Sequence, residues 1–260
     1  MDSPQNELKQ FAFERSTLLV TYEPNATGDG VPVALGTGFF MESGGRVFVV
    51  TNTHVLEKLN AARAAGRTAC TQVVGARGEK GVEEHNGYLL MPQKLAIVDG
   101  VSSEHDHLDI GLIEIKPEFV PVLAKAKKFL TAADANVSAL EVGQDVFYRG
   151  YPLENVEFHR PIQSVAADGF GHITKVLSVH DRLVQLDRRE RKETSDSGDS
   201  LQWRDLHGIS GSPVLDSNRK LRGVVWGGDE GTERIFVCPA TTVFACIEHY
   251  VPLHPSKKRG

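Results

Sequence analysis

Short apolar runs separated by turn residues make up most of this chain. Val31–Leu35, Gly38–Met41 and Arg46–Thr51 read as strands, and Ser43-Gly44-Gly45 between the last two is a hairpin turn signal. Asp109–Ile115 is mostly apolar, as a buried strand would be. Further strands are predicted at Gln144–Tyr148, His172–Val179, Arg182–Leu186, Ser212–Leu215, Leu221–Trp226 and Arg234–Cys238. Helical signals are fewer: Leu56–Ala65, stopped by Gly66, then Pro121–Ala133, and Thr241–Tyr250 near the C-terminal end. Many evenly spaced short strands with few helices predict an all-β sandwich or barrel. The pattern breaks at about Lys116–Leu140, which would link two lobes. No internal repeat is visible.

Composition narrows the classes. A chain of 260 residues, 40% hydrophobic, can bury a sizeable core without disulfides or metals. A net charge of −5 argues against nucleic acid as a partner, because phosphate binding needs clustered basic surface. No stretch is long and apolar enough for a transmembrane helix, so no membrane association is expected. The opening residues hold no apolar core of a signal peptide. Cys70, Cys238 and Cys246 are odd in number and fit no metal-site spacing. Together these features suggest buried reduced thiols in a cytoplasmic protein. Residues 187–200 are almost entirely polar and read as a solvated loop, with regulation or self-cleavage as the sharper reading.

The chemistry-bearing residues are weak signals one at a time. In Gly208-Ile209-Ser210-Gly211-Ser212-Pro213, glycines flank a serine and would leave its backbone amides uncovered. A serine hydroxyl needs an adjacent base to act as nucleophile. Among ten histidines, His54 stands directly after the apolar run ending Val49-Val50-Thr51, where a strand end would hold it rigidly. Asp109 opens the apolar run Ile110-Gly111-Leu112-Ile113, and a carboxylate at the mouth of a buried strand needs a partner. Asp106 competes for that role but sits in the polar stretch Glu104-His105-Asp106-His107. That stretch is read as a surface loop and not as a metal site, and no metal or cofactor is expected. Trp203 and Trp226 flank the serine in sequence, with core or cleft packing as their default.

In combination these motifs resemble the trypsin-like (chymotrypsin-fold) serine peptidases, in the bacterial branch with the glutamyl endopeptidases and HtrA-type proteases. Gly36-Thr37-Gly38-Phe39-Phe40, Thr51-Asn52-Thr53-His54-Val55, Asp109-Ile110-Gly111-Leu112-Ile113, Gly150-Tyr151-Pro152, Gly208–Val214 and Val225-Trp226-Gly227-Gly228 carry the resemblance, in order, from about residue 31 to 245. The order His, Asp, Ser is one of the known chain orders for this constellation. The resemblance implies two six-stranded antiparallel β-barrels and a C-terminal helix. The expected layout is an N-terminal extension over 1–30, a first barrel over 31–120, a linker over 121–140 and a second barrel with the helix over 141–260. It also implies Ser210 as nucleophile, His54 as general base and Asp109 as its orienting partner. The amides of Gly208 and Ser210 would form the oxyanion hole, and Val225, Trp226 and Gly227 would bind the substrate backbone as an added strand. Arg204, six residues before Ser210, would stand at the pocket floor and favour acidic or polar side chains at the cleavage site. Ile209 stands where zymogens of the family carry an aspartate that captures a new N-terminus. Val225 stands where glutamyl endopeptidases carry a pocket histidine.

The expected function is therefore serine endopeptidase activity on a protein or peptide substrate, through an acyl-enzyme. Narrow specificity or a regulatory partner protein would restrain it in the absence of a zymogen switch. The alternative is a silent or latent protease-fold module that binds peptides without cutting. An α/β-hydrolase esterase is excluded, because that form needs G-x-S-x-G and the order Ser, Asp, His.

Overall fold

The computed structural model describes residues 4–24, 30–67, 70–73, 94–99, 109–125, 127–153, 156–159, 164–167, 169–180, 183–187, 194–195, 207–229 and 234–253. Strands dominate. The first half holds α1 (Pro4–Phe13), β1 (Ser16–Pro24), β2 (Gly30–Ser43), β3 (Arg46–Thr51), α2 (Thr53–Ala64), β4 (Cys70–Val73), β5 (Lys94–Asp99), β6 (Asp109–Glu114) and the short α3 (Val120–Leu123). The second half holds β7 (Asp145–Gly150), β8 (Val156–His159), β9 (Ser164–Ala167), β10 (Phe170–His180), β11 (Leu183–Asp187), β12 (Thr194–Ser195), β13 (Pro213–Leu215), β14 (Leu221–Asp229), β15 (Arg234–Pro239) and α4 (Ala240–Leu253).

The strands form two main antiparallel sheets. The first has the order β4-β1-β2-β3-β6-β5. The second runs β11-β15-β14-β13-β7-β10-β12, and β11 also pairs with β10, so six of its strands close into a barrel. A separate hairpin, β8-β9, follows β7.

Why the apolar runs are continuous and not alternating is visible in the packing. On β3, Val47 and Val49 enter the first sheet's interior with Phe40 and Leu56, while Phe48 and Val50 enter a layer between the two sheets. Likewise Ile110 and Leu112 of β6 join that layer, and Ile113 faces the other way. Strand side chains alternate in direction, so a strand with apolar material on both faces must be apolar throughout. The middle layer also takes Leu8 and Ala12 of α1, Phe147, Leu221 and Val224 of the second sheet, and Val243, Cys246 and Ile247 of α4. The second barrel has its own interior around Tyr148, Val184, Leu186, Val214 and Ile235.

Two expectations are revised. Ser16–Pro24, assigned above to an extension, pairs with β2 along its whole length and belongs to the first sheet. The predicted helix over Pro121–Ala133 is reduced to α3 and a 3-10 turn at Ala132–Asp134. Between them Leu130 runs beside β2, its N–H donating to Phe40 O at 2.9 Å and its C=O accepting from Glu42 N at 2.7 Å. Tertiary pairing overrides the local helical preference there.

Candidate active site

His54 and Asp109 meet at the edge of the first sheet. β3 ends at Thr51, and His54 lies in the opening turn of α2. Asp109 is the first residue of β6, which pairs with β3. Asp109 Oδ1 accepts the main-chain N–H of His54 at 2.8 Å, and Oδ2 lies in short contact with His54 Nδ1. A carboxylate oxygen can only accept, so this contact puts the ring proton on Nδ1 and leaves Nε2 as the free base. Asp109 is sunk, at 13% exposure, whereas the His54 side chain is 42% exposed and open to a reactant. Asn52 fixes the same corner from behind, its Nδ2 donating to Asp109 O at 2.8 Å.

Ser210 comes from the second sheet, on the loop before β13. Gly208 (φ 101°) and Gly211 (φ 89°) take backbone conformations that strain any side-chain-bearing residue. Space forbids a side chain as well: a Cβ would lie 2.3 Å from Tyr151 O at Gly208 and 1.9 Å from Thr37 O at Gly211. The carbonyls of residues 207–210 are each held. His207 O accepts from Leu153 N at 2.8 Å, and Ile209 O from Ser212 N at 3.0 Å and Ser212 Oγ at 2.5 Å. Gly208 O accepts from Thr37 Oγ1 at 2.7 Å, and Ser210 O from Thr37 N at 2.9 Å. Among the described residues the amides of Gly208, Ile209 and Ser210 donate to no acceptor. In a trans peptide the C=O and N–H point opposite ways, so tying His207 O to Leu153 aims the Gly208 N–H away from that contact.

The Ser210 loop is thus docked on the hairpin that leads to His54. Gly211 packs beside Thr51, three residues before the histidine, and Thr51 Oγ1 donates to Thr37 O at 2.7 Å. Among the described residues Ser210 makes no hydrogen bond to His54. Ser210 is partly exposed and Ile209 fully buried in the second barrel, an apolar anchor for the loop.

The remaining sequence candidates fall as follows. Val225 is buried in the second barrel, and its N–H and C=O are both taken by the loop, through Ser212 O and Gly211 N at 2.9 Å. Trp226 is 39% exposed and edge-on to Phe236 at 5.9 Å. It sits at an irregularity in the β14–β15 ladder. A Cβ on Gly227 would meet nothing within 4 Å. β13 pairs with β14 only as far as Val224, so at Trp226, Gly227 and Gly228 β14 is hydrogen-bonded on its β15 side alone among the described residues. Arg204 and Trp203, and the Glu104–His107 cluster, lie outside the described residues, as does most of the polar stretch 187–200. No metal-holding cluster occurs among the described residues. Cys238 and Cys246 are buried free thiols. Burial pushes the Cys238 thiol up to about 12, helped by the charges of Asp109 and Cys246, and burial lifts Cys246 to about 12. Neither is a nucleophile in that state.

Sequence reasoning missed Thr37, Thr51, Asn52 and Leu153 as supports of the site. Thr37 left a signal: a polar residue between two glycines in an apolar strand. Leu153 left none, because its contribution is its backbone N–H.

The model of the trypsin-like peptidase domain matches residues 36–224. The chain belongs to the trypsin-like peptidase family. This trypsin-like peptidase is a serine endopeptidase, and its fold is shared with solved structures of low identity. The crystal structure of Deg5 superimposes with a TM-score of 0.56 at 18% identity, covering 93% of this chain and 90% of that one. The active form of the Rv3671c protease from M. tuberculosis gives a TM-score of 0.50 at 18% identity, covering 94% and 83%. No curated protein matches the sequence.

Proposed function

We propose that this peptidase cleaves protein substrates with Ser210 as nucleophile, His54 Nε2 as general base and Asp109 holding the base. The observation that carries this reading is the set of open amides at 208–210 on a loop whose carbonyls at 207–210 are engaged. In acyl transfer the carbonyl oxygen gains charge as Ser210 Oγ attacks. The N–H groups of Gly208 and Ser210 would stabilise it without reorganising, which is where most of the rate gain of such sites arises. His54 takes the hydroxyl proton and returns it to the leaving amine, and Asp109 stabilises the imidazolium formed between. In uncomplexed sites the nucleophile–base hydrogen bond is commonly long and tightens when substrate binds.

The substrate backbone would add to the open side of β14 at Trp226 and Gly227, with the Trp226 face as an apolar wall. Ile209 is apolar and buried, so activation by capture of a new N-terminus has no acidic receptor at this position. With the loop already held, restraint falls on narrow specificity more than on a partner that builds the site. Degradation of casein by the isolated chain would overturn that part. A reducing compartment is supported by the free thiols Cys238 and Cys246. Recovery of the tagged chain outside the cytoplasm would refute it.

The deciding experiment is fluorophosphonate labelling of wild type, Ser210→Ala and His54→Ala. Labelling of wild type alone is the expected result. Unlabelled wild type would favour the alternative, a peptide-binding module that does not cut.

A further inference from the structure

Thr37 lies on β2, in the first sheet, yet its N–H and hydroxyl serve the second. The residue is fully buried, at 0% exposure. Its N–H donates to Ser210 O at 2.9 Å, and its hydroxyl donates to Gly208 O at 2.7 Å. The same hydroxyl accepts the N–H of Tyr151 at 2.9 Å, and the Thr37 carbonyl accepts from Thr51 Oγ1 at 2.7 Å. A hydroxyl has one proton, so donation to Gly208 and acceptance from Tyr151 together fix its orientation.

We propose that Thr37 Oγ1 is the positioning group of the oxyanion pocket, holding the Gly208–Ile209 peptide so that the amides at 208 and 210 face the cleft. The inference rests on the reading of Ser210 as nucleophile. Glycine has little intrinsic backbone preference, so the conformation of Gly208 must be imposed by its neighbours. The peptide before Gly208 is tied by Leu153 N, and the peptide after it by Thr37 Oγ1. Removing the hydroxyl orphans two groups, Gly208 O and Tyr151 N–H, beside buried neighbours. Buried polar groups seek new partners, and rotation of the Gly208–Ile209 peptide is the movement open to the loop. The open amides would then lose their common aim. Thr37 also links the two halves of the chemistry. Thr51, which pins the Thr37 carbonyl, closes the strand that delivers His54. One hairpin therefore sets the base directly and the oxyanion donors through a single hydroxyl.

The test measures the second-order rate of fluorophosphonate labelling across pH for wild type, Thr37→Ser, Thr37→Val and Thr37→Ala, with melting temperatures alongside. The probe's phosphoryl oxygen occupies the same pocket as the carbonyl oxygen. Thr37→Val keeps the shape and removes the hydroxyl, and is expected to lower the plateau roughly 100-fold. The pH midpoint should not move, because the His54–Asp109 contact is untouched. Thr37→Ser should label within a few-fold of wild type. If Thr37→Val does not fold, Thr37→Ser against Thr37→Ala gives the same comparison, since those two differ by the hydroxyl alone. Equal rates with and without the hydroxyl, or a shifted midpoint at an unchanged plateau, overturn the inference. Wild type that does not label overturns the underlying reading as well, so the two failures are told apart.

Discussion

Asp109 grips His54 by both carboxylate oxygens, one on the main-chain N–H at 2.8 Å and one on ring Nδ1. The first contact fixes where the histidine enters α2, and the second fixes the ring's rotation and tautomer. Asp109→Asn separates these roles. The amide oxygen can still accept the main-chain N–H, while its NH2 would face Nδ1 and force the ring proton onto Nε2. The base is then blocked in an intact fold, and activity should fall roughly 10⁴-fold. Fluorophosphonate labelling and a melting curve check this. Loss of labelling with a collapsed melting transition would mean that Asp109 is chiefly structural.

Gly227 offers a way to separate peptide binding from chemistry. Its missing side chain leaves open space, so Gly227→Ala should leave the melting temperature unchanged. A methyl group there would stand on the sheet face and crowd the side chains of a strand adding to β14. Cleavage of a peptide substrate should weaken mainly through KM, while labelling by the small fluorophosphonate probe stays at the wild-type rate. Equal loss in both assays would show that substrate does not lie along this edge.

A buried ion pair ties α4 to the first sheet. Arg46 Nε donates to Glu114 Oε1 at 3.0 Å, and Tyr250 OH donates to Glu114 Oε2 at 3.1 Å. The Arg46 guanidinium also lies over the Phe48 and Tyr250 rings. Tyr250→Phe leaves a carboxylate oxygen short of a donor and should cost about 1–3 kcal/mol in urea unfolding. Arg46→Met strands the buried Glu114 carboxylate and should cost about 3–5 kcal/mol. A smaller loss for Arg46→Met than for Tyr250→Phe would contradict this assignment.

Lys127 makes stability depend on alkaline pH. Its ammonium is buried between the end of α1 and β1, donating to Phe13 O at 2.9 Å and Ser16 O at 2.6 Å. Burial pulls it down to about 8 from an ordinary 10.5, opposed by Tyr151 and Glu14 and reinforced by Arg149. Below about pH 8 the lysine is charged both folded and unfolded, and burying that charge opposes folding in full. Between about pH 8 and 10.5 the folded chain has released the proton and the unfolded chain still holds it. The unfolded state then binds more protons, so this residue's contribution rises with pH. The unfolding free energy of wild type relative to Lys127→Met should therefore climb across that window. A flat difference would mean that the lysine keeps its charge throughout.

Much of the fold was legible because burial on two faces writes long apolar runs into strands. Arg46–Thr51 and Asp109–Ile115 could be read as strands without any partner being known. The helix expected over Pro121–Ala133 was misread for the opposite reason: what decides Leu130 is the edge of β2, which no local pattern reveals. Ser16–Pro24 fell into the extension because the family resemblance starts only at about residue 31, and its pairing with β2 is a tertiary fact. At the site, His54, Asp109 and Ser210 stood out by their neighbours in sequence. Leu153 could not, because it acts through a backbone N–H, which every residue but proline carries.

The sequence by itself determined where chemistry-bearing side chains stand along the chain, where glycines let the backbone turn at Gly208 and Gly211, and that the long apolar runs form strands. Tertiary structure alone decided that Thr37, from the other sheet, would hold the Gly208 carbonyl and the Ser210 main chain. Backbone hydrogen bonds between segments far apart in the chain depend on geometry and not on residue type, so only the folded arrangement can specify them.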